Sequence, residues 1–563
     1  GTLDWVVIGI FFLALIGIIV WVVKQKQNDS ADYFLGGRDA TWLAIGASIF
    51  ASNIGSEHLI GLAGAGASSG MAMAHWEIQG WMILILGWVF VPFYSRSMVY
   101  TMPEFLERRY NPQSRTILSV ISLISYVLTK VAVTVYAGGL VFQQVFGIKE
   151  LWGIDFFWIA AIGLVVLTAL YTIFGGMKSV LYTSVLQTPI LLLGSLIILV
   201  LGFKELGGWD EMMSICSAVT VNEYGDTMTQ LIRDNNDPNF PWLGALVGSA
   251  IIGFWYWCTD QFIVQRVLSG KNEKEARRGT IFGAYLKLLP VFLFLIPGMI
   301  AFALHQKYIG AGGEGFLPLL ANGTANADAA FPTLVAKLLP AGVKGLVVCG
   351  ILAALMSSLA SLFNSSAMLF TIDFYKRFKP ETPEKKLVGI GQIATVVIVI
   401  LGILWIPIMR SVGDVLYTYL QDVQSVLAPG IAAAFLLGIC WKRTSAKGGM
   451  WGLIAGMIIG LTRLGAKVYY SNTAITDSSM FKYLFYDLNW LFFCGWMFLF
   501  CIIVVIAVSL MTEAPSAEKI QGLVFGTSTP EQKAATRASW NHWDIIHTVI
   551  ILAITAAFYW YFW

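Results

Sequence analysis

The chain of 563 residues is poor in charge, because only 12% of its residues are Asp, Glu, Lys or Arg. An average soluble protein has roughly 25%. Its six cysteines form no CxxC pair and no Cys/His cluster with the spacing of a zinc site. No polar connection is long enough to fold alone as a catalytic domain. These absences argue against a soluble enzyme, a disordered chain and a disulfide-rich secreted protein.

Long apolar runs fill the sequence instead. Apolar residues make up 57% of the chain, and the mean hydropathy is +0.72. A helix needs about 20 apolar residues to cross a bilayer. The runs therefore predict an all-α polytopic membrane protein of about fourteen transmembrane helices. The predicted spans are 3–23, 41–64, 71–95, 116–145, 154–174, 179–204, 242–267, 279–305, 341–372, 387–409, 412–440, 446–466, 483–511 and 541–563.

Basic residues are unevenly distributed between the two sets of connections. One alternate set holds 24 of the 36 Lys and Arg residues. Connections rich in Lys and Arg remain in the cytoplasm. The opposite side carries the acidic segment 205–241. We therefore predict that both termini are extracellular or periplasmic, in a plasma membrane or a bacterial inner membrane.

The second span is interrupted by polar residues at its middle. The segment GASIFASNIGSEHLIGLAGAG (46–66) places Asn53, Ser56, Glu57 and His58 between apolar residues. A lipid-facing helix would not accept them, whereas a helix that unwinds beside an aqueous cavity would. The alternative is an ordinary buried helix that packs closely through its small residues.

A second interrupted span, GFWYWCTDQFIVQR (253–266), follows five spans later. Two such helices indicate a five-plus-five inverted repeat with two broken helices, in which solute and coupling ion bind near the midplane. The predicted division is an N-terminal extra helix with its cytoplasmic connection (1–40), a first repeat (41–204), an extracellular loop (205–241), a second repeat (242–440) and C-terminal accessory helices (441–563).

The ninth span carries hydroxyls on one face. In AALMSSLASLFNSS (353–366), Ala354, Ser357, Ser358 and Ser361 are spaced by three or four residues. Such a face opposite the carbonyls of a broken helix would offer only oxygen ligands, which suits Na⁺. A helix contact through small residues, with each serine bonded to its own backbone, is the alternative.

Charged and amide side chains inside other spans form a possible polyol site. Glu77 lies in the third span and Lys287 in the eighth, and they can pair with each other or bind solute hydroxyls separately. A structural ion pair is the alternative. Lys130 in the fourth span fits a snorkelling or packing role as well as a site role. The full set for a polyol is Asn53, His58, Glu77, Tyr256, Lys287 and Gln421.

Several of these motifs together resemble the sodium/solute symporter family and, within it, the sodium/glucose cotransporter branch. They are SNIGSEH, WYWCTDQ, YLKLLP, LMSSLASLFNSS, YLQ…APGIAAAFLLGI and KGGMWGLIAG. The resemblance runs from Asp32 to at least Arg443. It implies a LeuT-like fold and Na⁺ as the coupling ion.

The resemblance also implies roles for individual residues. Sodium would bind to the carbonyl oxygens of Ala51, Ile54 and Ala354 and the hydroxyls of Ser357 and Ser358. Sugar would contact Asn53, His58, Glu77, Lys287 and Gln421, with Tyr256 as floor and inner gate beside Trp257. The outer gate would consist of Leu62, Trp76 and Tyr417.

Two positions depart from the family pattern. Ser184 stands where relatives have an acidic residue, which weakens the case for a second sodium site. Gly253 stands where relatives have a side chain that contacts sugar, so the hydroxyl specificity is expected to differ.

The sequence thus predicts a sodium-coupled symporter for a glucose- or galactose-type hexose that works by alternating access. Its partners would be sodium, a sugar and the lipid bilayer, with no nucleic acid. The same fold could carry another solute, such as myo-inositol, an amino acid, a sialic acid or another organic anion. A sugar-gated sensor or channel is a further alternative. An enzyme is not expected, because no catalytic triad, metal cluster or phosphate-binding loop is present in the sequence.

Overall fold

The structure, a computed structural model, describes the chain except for Lys26, Ser56, Gly413 and residues 471–477. It describes only the backbone of residues 57, 127–129, 137, 140, 144, 406, 408–412, 414–423 and 468. Within the described part, ten helices are long and apolar enough to cross a membrane. They are Thr2–Val23, Gly70–Ser97, Phe156–Leu206, Trp242–Thr259, Glu273–Gly310, Val343–Lys376, Glu384–Trp405, Ala446–Lys467, Trp490–Met511 and His542–Phe562.

Helical segments occur in each of the fourteen predicted ranges, although the lengths differ from those predicted. The fifth and sixth predicted spans are two helices that meet within Phe156–Leu206 at a sharp kink, because the backbone of Gly176 is non-helical with φ 59° and ψ −149°. A Cβ atom at Gly176 would lie 2.3 Å from the Tyr33 carbonyl oxygen, so this close approach requires glycine. Trp42–Asn53 is by itself shorter than a full span. The fourth predicted span is continuous helix through Pro112–Ser125, Tyr126–Val131 and Ala132–Phe146, and the eleventh is Asp414–Cys440.

Short elements connect the spans. A two-residue hairpin pairs Glu150–Leu151 with Ile154–Asp155. The connecting and flanking helices are Ser30–Leu35, Met102–Arg109, Trp209–Ser217, Ala330–Leu338, Ala517–Ile520 and Pro530–Ala538.

The first broken helix runs as Trp42–Asn53, Glu57–Leu62 and Ala63–Ser68. Its backbone becomes extended at Ile54, with φ −79° and ψ 111°. A helix that stops inside the protein leaves carbonyl groups without their usual intrahelical partners. The interruption therefore lies where the polar segment predicts it, and the continuous-helix alternative is wrong.

The second broken helix runs as Trp242–Phe254, Trp255–Thr259 and Gln261–Leu268. Its first two parts are continuous. The backbone then becomes extended at Asp260, with φ −80° and ψ 132°, and a new helix begins at Gln261. The break is therefore a single residue at the end of the aromatic segment WYWCT.

The serine helix, Val343–Met368 with its continuation Leu369–Lys376, lies at the centre of the protein. It packs against Phe156–Leu206, Thr2–Val23 and the first broken helix. In its most apolar stretch of 18 residues, 89% are buried, against 22% in each of the terminal helices Thr2–Val23 and His542–Phe562. The terminal helices therefore present their apolar side chains to lipid, whereas the serine helix faces protein on all sides.

Candidate functional site

A cavity of about 770 Å³ lies between the two broken helices. It extends from the region of the two breaks toward Pro238 and Asn239, which precede the helix Trp242–Phe254. It also reaches Asp487 and Trp490, at the start of the helix Trp490–Met511. The cavity thus connects the middle of the helix bundle with one end of it. The residues that line it include Asn53, Gly55, His58, Leu62, Trp76, Glu77, Gln79, Lys130, Tyr256, Trp257, Lys287 and Ser358.

A three-residue charged cluster lies in this cavity. The ammonium group of Lys287 donates a hydrogen bond of 2.6 Å to Glu77 Oε2, and His58 Nε2 lies 3.1 Å from the same oxygen. All three side chains are buried. The sequence left open whether Glu77 and Lys287 pair, and the structure shows that they do.

Two residues that line the cavity each carry a buried polar atom with no hydrogen-bond partner among the described residues. The atoms are Asn53 Nδ2 and His58 Nδ1. Buried polar atoms in native proteins are nearly always hydrogen-bonded, to protein, water or ligand. His58 already bonds to Glu77 through Nε2. The two atoms therefore mark hydrogen-bonding capacity beside the first break that the described residues leave unused.

Gln79 joins the site, although sequence reasoning did not select it. Its Oε1 accepts a 3.1 Å hydrogen bond from the indole nitrogen of Trp257, and its Nε2 donates to the Ser249 carbonyl at 2.8 Å. A Cβ atom at Gly253 would lie only 2.8 Å from Gln79 Nε2. The absence of a side chain at Gly253 therefore makes room for this amide.

Aromatic rings form one wall of the cavity. Tyr256 packs edge-on against Trp257 with 4.8 Å between the ring centroids. The ammonium group of Lys287 lies 5.2 Å from the centroid of the Trp257 ring, close enough for a cation–π attraction. Tyr256 is half-buried and lines the cavity, as expected of a residue that meets a solute.

The serine helix faces the break in the first broken helix. A Cβ atom at Gly55 would lie 3.1 Å from Ser358 Oγ, so this hydroxyl reaches the break. Ser357, Ser358 and Ala354 are buried, as are Ala51 and Ile54 on the broken helix. The predicted sodium ligands are therefore on facing elements, with Ser358 in contact with the break.

A chain of hydroxyls continues from this point. Ser52 and Ser361 share a hydrogen bond, and Ser361 donates to the Ser357 carbonyl at 2.9 Å. Ser184, which stands at the family's acidic position, lies with its Oγ 3.4 Å from Ser357 Oγ and donates to the Val180 carbonyl. The region around the serine face is thus polar but uncharged.

The predicted outer gate is only partly visible. Leu62 and Trp76 line the cavity. Trp76 stacks on Trp490 at 5.6 Å and meets Phe240 edge-on at 5.8 Å. The side chains of Tyr417 and Gln421 lie outside the described residues, so their roles remain predictions.

Comparison with solved structures identifies the class of protein. The fold matches an outward-open, Na⁺-coupled sialic acid symporter with a TM-score of 0.72 over 92% of this chain and 99% of that one, at 22% sequence identity. This likeness confirms the LeuT-like fold.

The chain belongs to the sodium:solute symporter family, whose pattern matches residues 33–456. It is 37% identical to human sodium/myo-inositol cotransporter 2 over 538 residues, which cover 93% of this chain and 79% of that protein. It is also 37% identical to sheep sodium/glucose cotransporter 1 over 529 residues, with 91% and 79% covered. The protein is therefore a multi-pass membrane transporter that couples solute movement to sodium.

Proposed function

We propose that this symporter carries a neutral cyclic polyol, a hexose of the glucose or galactose type, together with Na⁺. The observation that carries the proposal is the cavity between the two broken helices. It combines the ion pair of Glu77 and Lys287, the unpartnered polar atoms of Asn53 and His58, and the aromatic wall of Tyr256 and Trp257. Carbohydrate recognition needs this combination, because the ring presents hydroxyls at its rim and C–H groups on its faces.

The charge arrangement favours a neutral solute over an organic anion. Lys287 is one of the basic residues that line the cavity and could bind a carboxylate, but its ammonium is 2.6 Å from the carboxylate of Glu77. An anion would have to displace Glu77 and leave it without its partner, and breaking a buried pair costs about 3–5 kcal/mol. A sugar hydroxyl can instead donate to Glu77 or accept from Lys287 while the pair remains intact.

The sodium site would use neutral oxygens only. The carbonyls of Ala51, Ile54 and Ala354 and the hydroxyls of Ser357 and Ser358 are on facing elements at the break. Hard cations prefer such oxygen ligands. Without a carboxylate the site would bind Na⁺ weakly enough to release it in the cytoplasm.

Coupling follows from the position of the two sites on one helix. Asn53 and His58, which would bind sugar, flank the break that would bind Na⁺. Sodium that orders the break would therefore position both side chains for the solute. Since coupling free energies are reciprocal, sugar must tighten Na⁺ binding by the same factor. Alternating access would then require that the aromatic layers on the two sides of the cavity open in turn, with both chain termini outside the cytoplasm.

Myo-inositol is a second candidate, because a myo-inositol cotransporter is among the relatives. Its ring carries six hydroxyls and no ring oxygen, so it suits the same cavity. The contact between Gly253 and Gln79 is the place where the two polyols would be distinguished.

Uptake into proteoliposomes tests the proposal. Labelled glucose, galactose, myo-inositol and sialic acid are offered with an inward Na⁺ gradient, and with K⁺ or Li⁺ in its place. We expect a hexose to accumulate above its outside concentration only with Na⁺. Equilibration without accumulation would support a sensor or channel, and accumulation of sialic acid alone would contradict the neutral-polyol assignment.

A further inference from the structure

A second buried ion pair lies beneath the solute cavity, and the proposed function gives it no role. Lys130 Nζ is 3.1 Å from Asp260 Oδ2, and the hydroxyl of Tyr126 donates to Asp260 Oδ1. All three side chains are buried. The ammonium group also lies 5.0–5.3 Å from the centroids of four rings, which belong to Tyr126, Trp255, Tyr256 and Phe262.

The way in which the last part of the second broken helix begins is unusual. Asp260 is its N-cap residue, and an aspartate there normally accepts a hydrogen bond from an N–H of the first turn. Asp260 makes no such bond. The hydroxyl oxygen of Tyr126 accepts the Phe262 N–H instead, at 3.1 Å. Helix Gln261–Leu268 is thus capped from a different helix, Tyr126–Val131.

Asp260 is thereby released to bond across the interface. Its two carboxylate oxygens contact Tyr126 and Lys130, which are four residues apart on the same helical face. Further along, Gln261 Oε1 accepts the Met102 N–H at 2.8 Å and Gln265 Nε2 donates to the Phe34 carbonyl at 2.8 Å. Helix Gln261–Leu268 is therefore attached at several points on the side away from the cavity opening.

The network also holds the floor of the cavity. Lys130 and Tyr256 both line the cavity, and the Tyr256 ring lies 5.2 Å from the Lys130 ammonium. Solute that leaves on the far side must pass this layer. The contacts of Asp260 with Tyr126 and Lys130 hold the second broken helix in place and would thereby block the passage of solute.

We propose that Tyr126, Lys130 and Asp260 form an inner latch, which holds the cavity closed on the far side and positions Tyr256 as its floor. The latch rests on the proposed function in that it assumes transport by alternating access. It opens when Asp260 leaves Tyr126 and Lys130. Of the four rings around the Lys130 ammonium, that of Tyr126 is on the same helix as Lys130, whereas the other three would move with the second broken helix.

Two variants separate the latch from a merely structural cap. Tyr126→Phe removes both the cap and the bond to Asp260 but keeps the ring. Asp260→Asn removes the ion pair and leaves the Tyr126 cap in place. Tyr110→Phe is the matched control, since Tyr110 is also a buried tyrosine whose hydroxyl donates elsewhere, to the Ala434 carbonyl.

Hydrogen–deuterium exchange of residues 261–268 in Na⁺ buffer is the first measurement. A hydrogen bond to a charged group is worth on the order of tenfold in an equilibrium constant. We expect both variants to exchange about tenfold faster over the whole segment, and Tyr110→Phe to match the wild type. Faster exchange at Phe262 alone, in Tyr126→Phe alone, would show a structural cap and overturn the latch.

Sodium binding and solute exit are the second measurement. If the latch opens more often, the state with a closed latch, which would bind Na⁺, is less populated, and the apparent Na⁺ affinity falls in proportion. We expect both variants to bind ²²Na⁺ about tenfold more weakly and to release preloaded hexose faster into Na⁺-free medium. Wild-type values in both variants would overturn the latch. If wild-type protein carries no hexose, the proposed function fails, whereas the exchange and ²²Na⁺ experiments still test the latch.

Discussion

The two broken helices are interrupted in the same way but surrounded by different chemistry. The first break, at Ile54 and Gly55, faces the neutral hydroxyls of the serine helix. The second, at Asp260, faces Tyr126 and Lys130 and carries a formal charge on each side. A break in a helix is therefore not by itself an ion site, because what faces it decides its role.

The difference between the two breaks also concerns the carboxylates beside the cavity. Two buried carboxylates near the breaks are already paired, Glu77 with Lys287 and Asp260 with Lys130. A paired carboxylate has little affinity left for a free cation. In the proposed function, sodium would therefore bind at the uncharged break, and the charged groups would hold solute or close the cavity.

The largest expected effect is that of Glu77→Ala. The change leaves Lys287 buried without its carboxylate, at a cost of about 3–5 kcal/mol, and removes a hydrogen-bond acceptor for the solute. We expect a lower Tm and loss of hexose uptake. In the double variant Glu77→Ala with Lys287→Met, the Tm should recover while uptake should not. Normal hexose uptake by the single variant would contradict the assignment of Glu77.

Ser358→Ala sharpens the comparison at the first break. Loss of one oxygen ligand should raise the Na⁺ concentration for half-maximal uptake about tenfold, with the order of preferred solutes unchanged. Ser366→Ala is the control, because Ser366 is a buried serine of the same helix whose hydroxyl has no partner among the described residues. Equal Na⁺ dependence in the two variants would remove the serine face from the sodium site.

Gly253→Ala should have the smallest and most selective effect. The added Cβ would push Gln79 away from Trp257, because it would lie 2.8 Å from the Gln79 amide nitrogen. A change of about 1 kcal/mol in the difference between the binding free energies of glucose and myo-inositol would change their uptake ratio about fivefold. The Na⁺ dependence should stay the same. Gly163→Ala is the control, since no atom lies near a Cβ at that position. An unchanged ratio would mean that Gln79 does not determine specificity.

The sequence was sufficient for features that break the apolar pattern. Polar residues in the middle of a span predicted both breaks, and serine spacing predicted the hydroxyl face. Glu77 and Lys287 were found because a charge inside a span needs an explanation. The helical segments also fall in the predicted ranges, because a bilayer requires apolar runs of a minimum length.

Other features depend on how distant helices pack and had no local signal. Gln79 is an ordinary polar residue in sequence, and only the approach of Gly253 and Trp257 gives it a role. The cap that Tyr126 supplies to Gln261–Leu268 joins residues more than 130 positions apart. The two spans on either side of Gly176 were predicted, but the close approach of Gly176 to Tyr33 at the kink between them had no local signal.

The central claim is that neutral oxygens at the first break bind Na⁺ beside a neutral polyol and are coupled to it. Two calorimetric titrations of the purified protein test this claim most directly. In the first, hexose is titrated in Na⁺ and then in K⁺; in the second, Na⁺ is titrated without hexose and with saturating hexose. The account predicts that Na⁺ raises hexose affinity and hexose raises Na⁺ affinity by the same factor, and that Ser358→Ala lowers Na⁺ affinity. Hexose affinity that is equal in Na⁺ and K⁺ would contradict it.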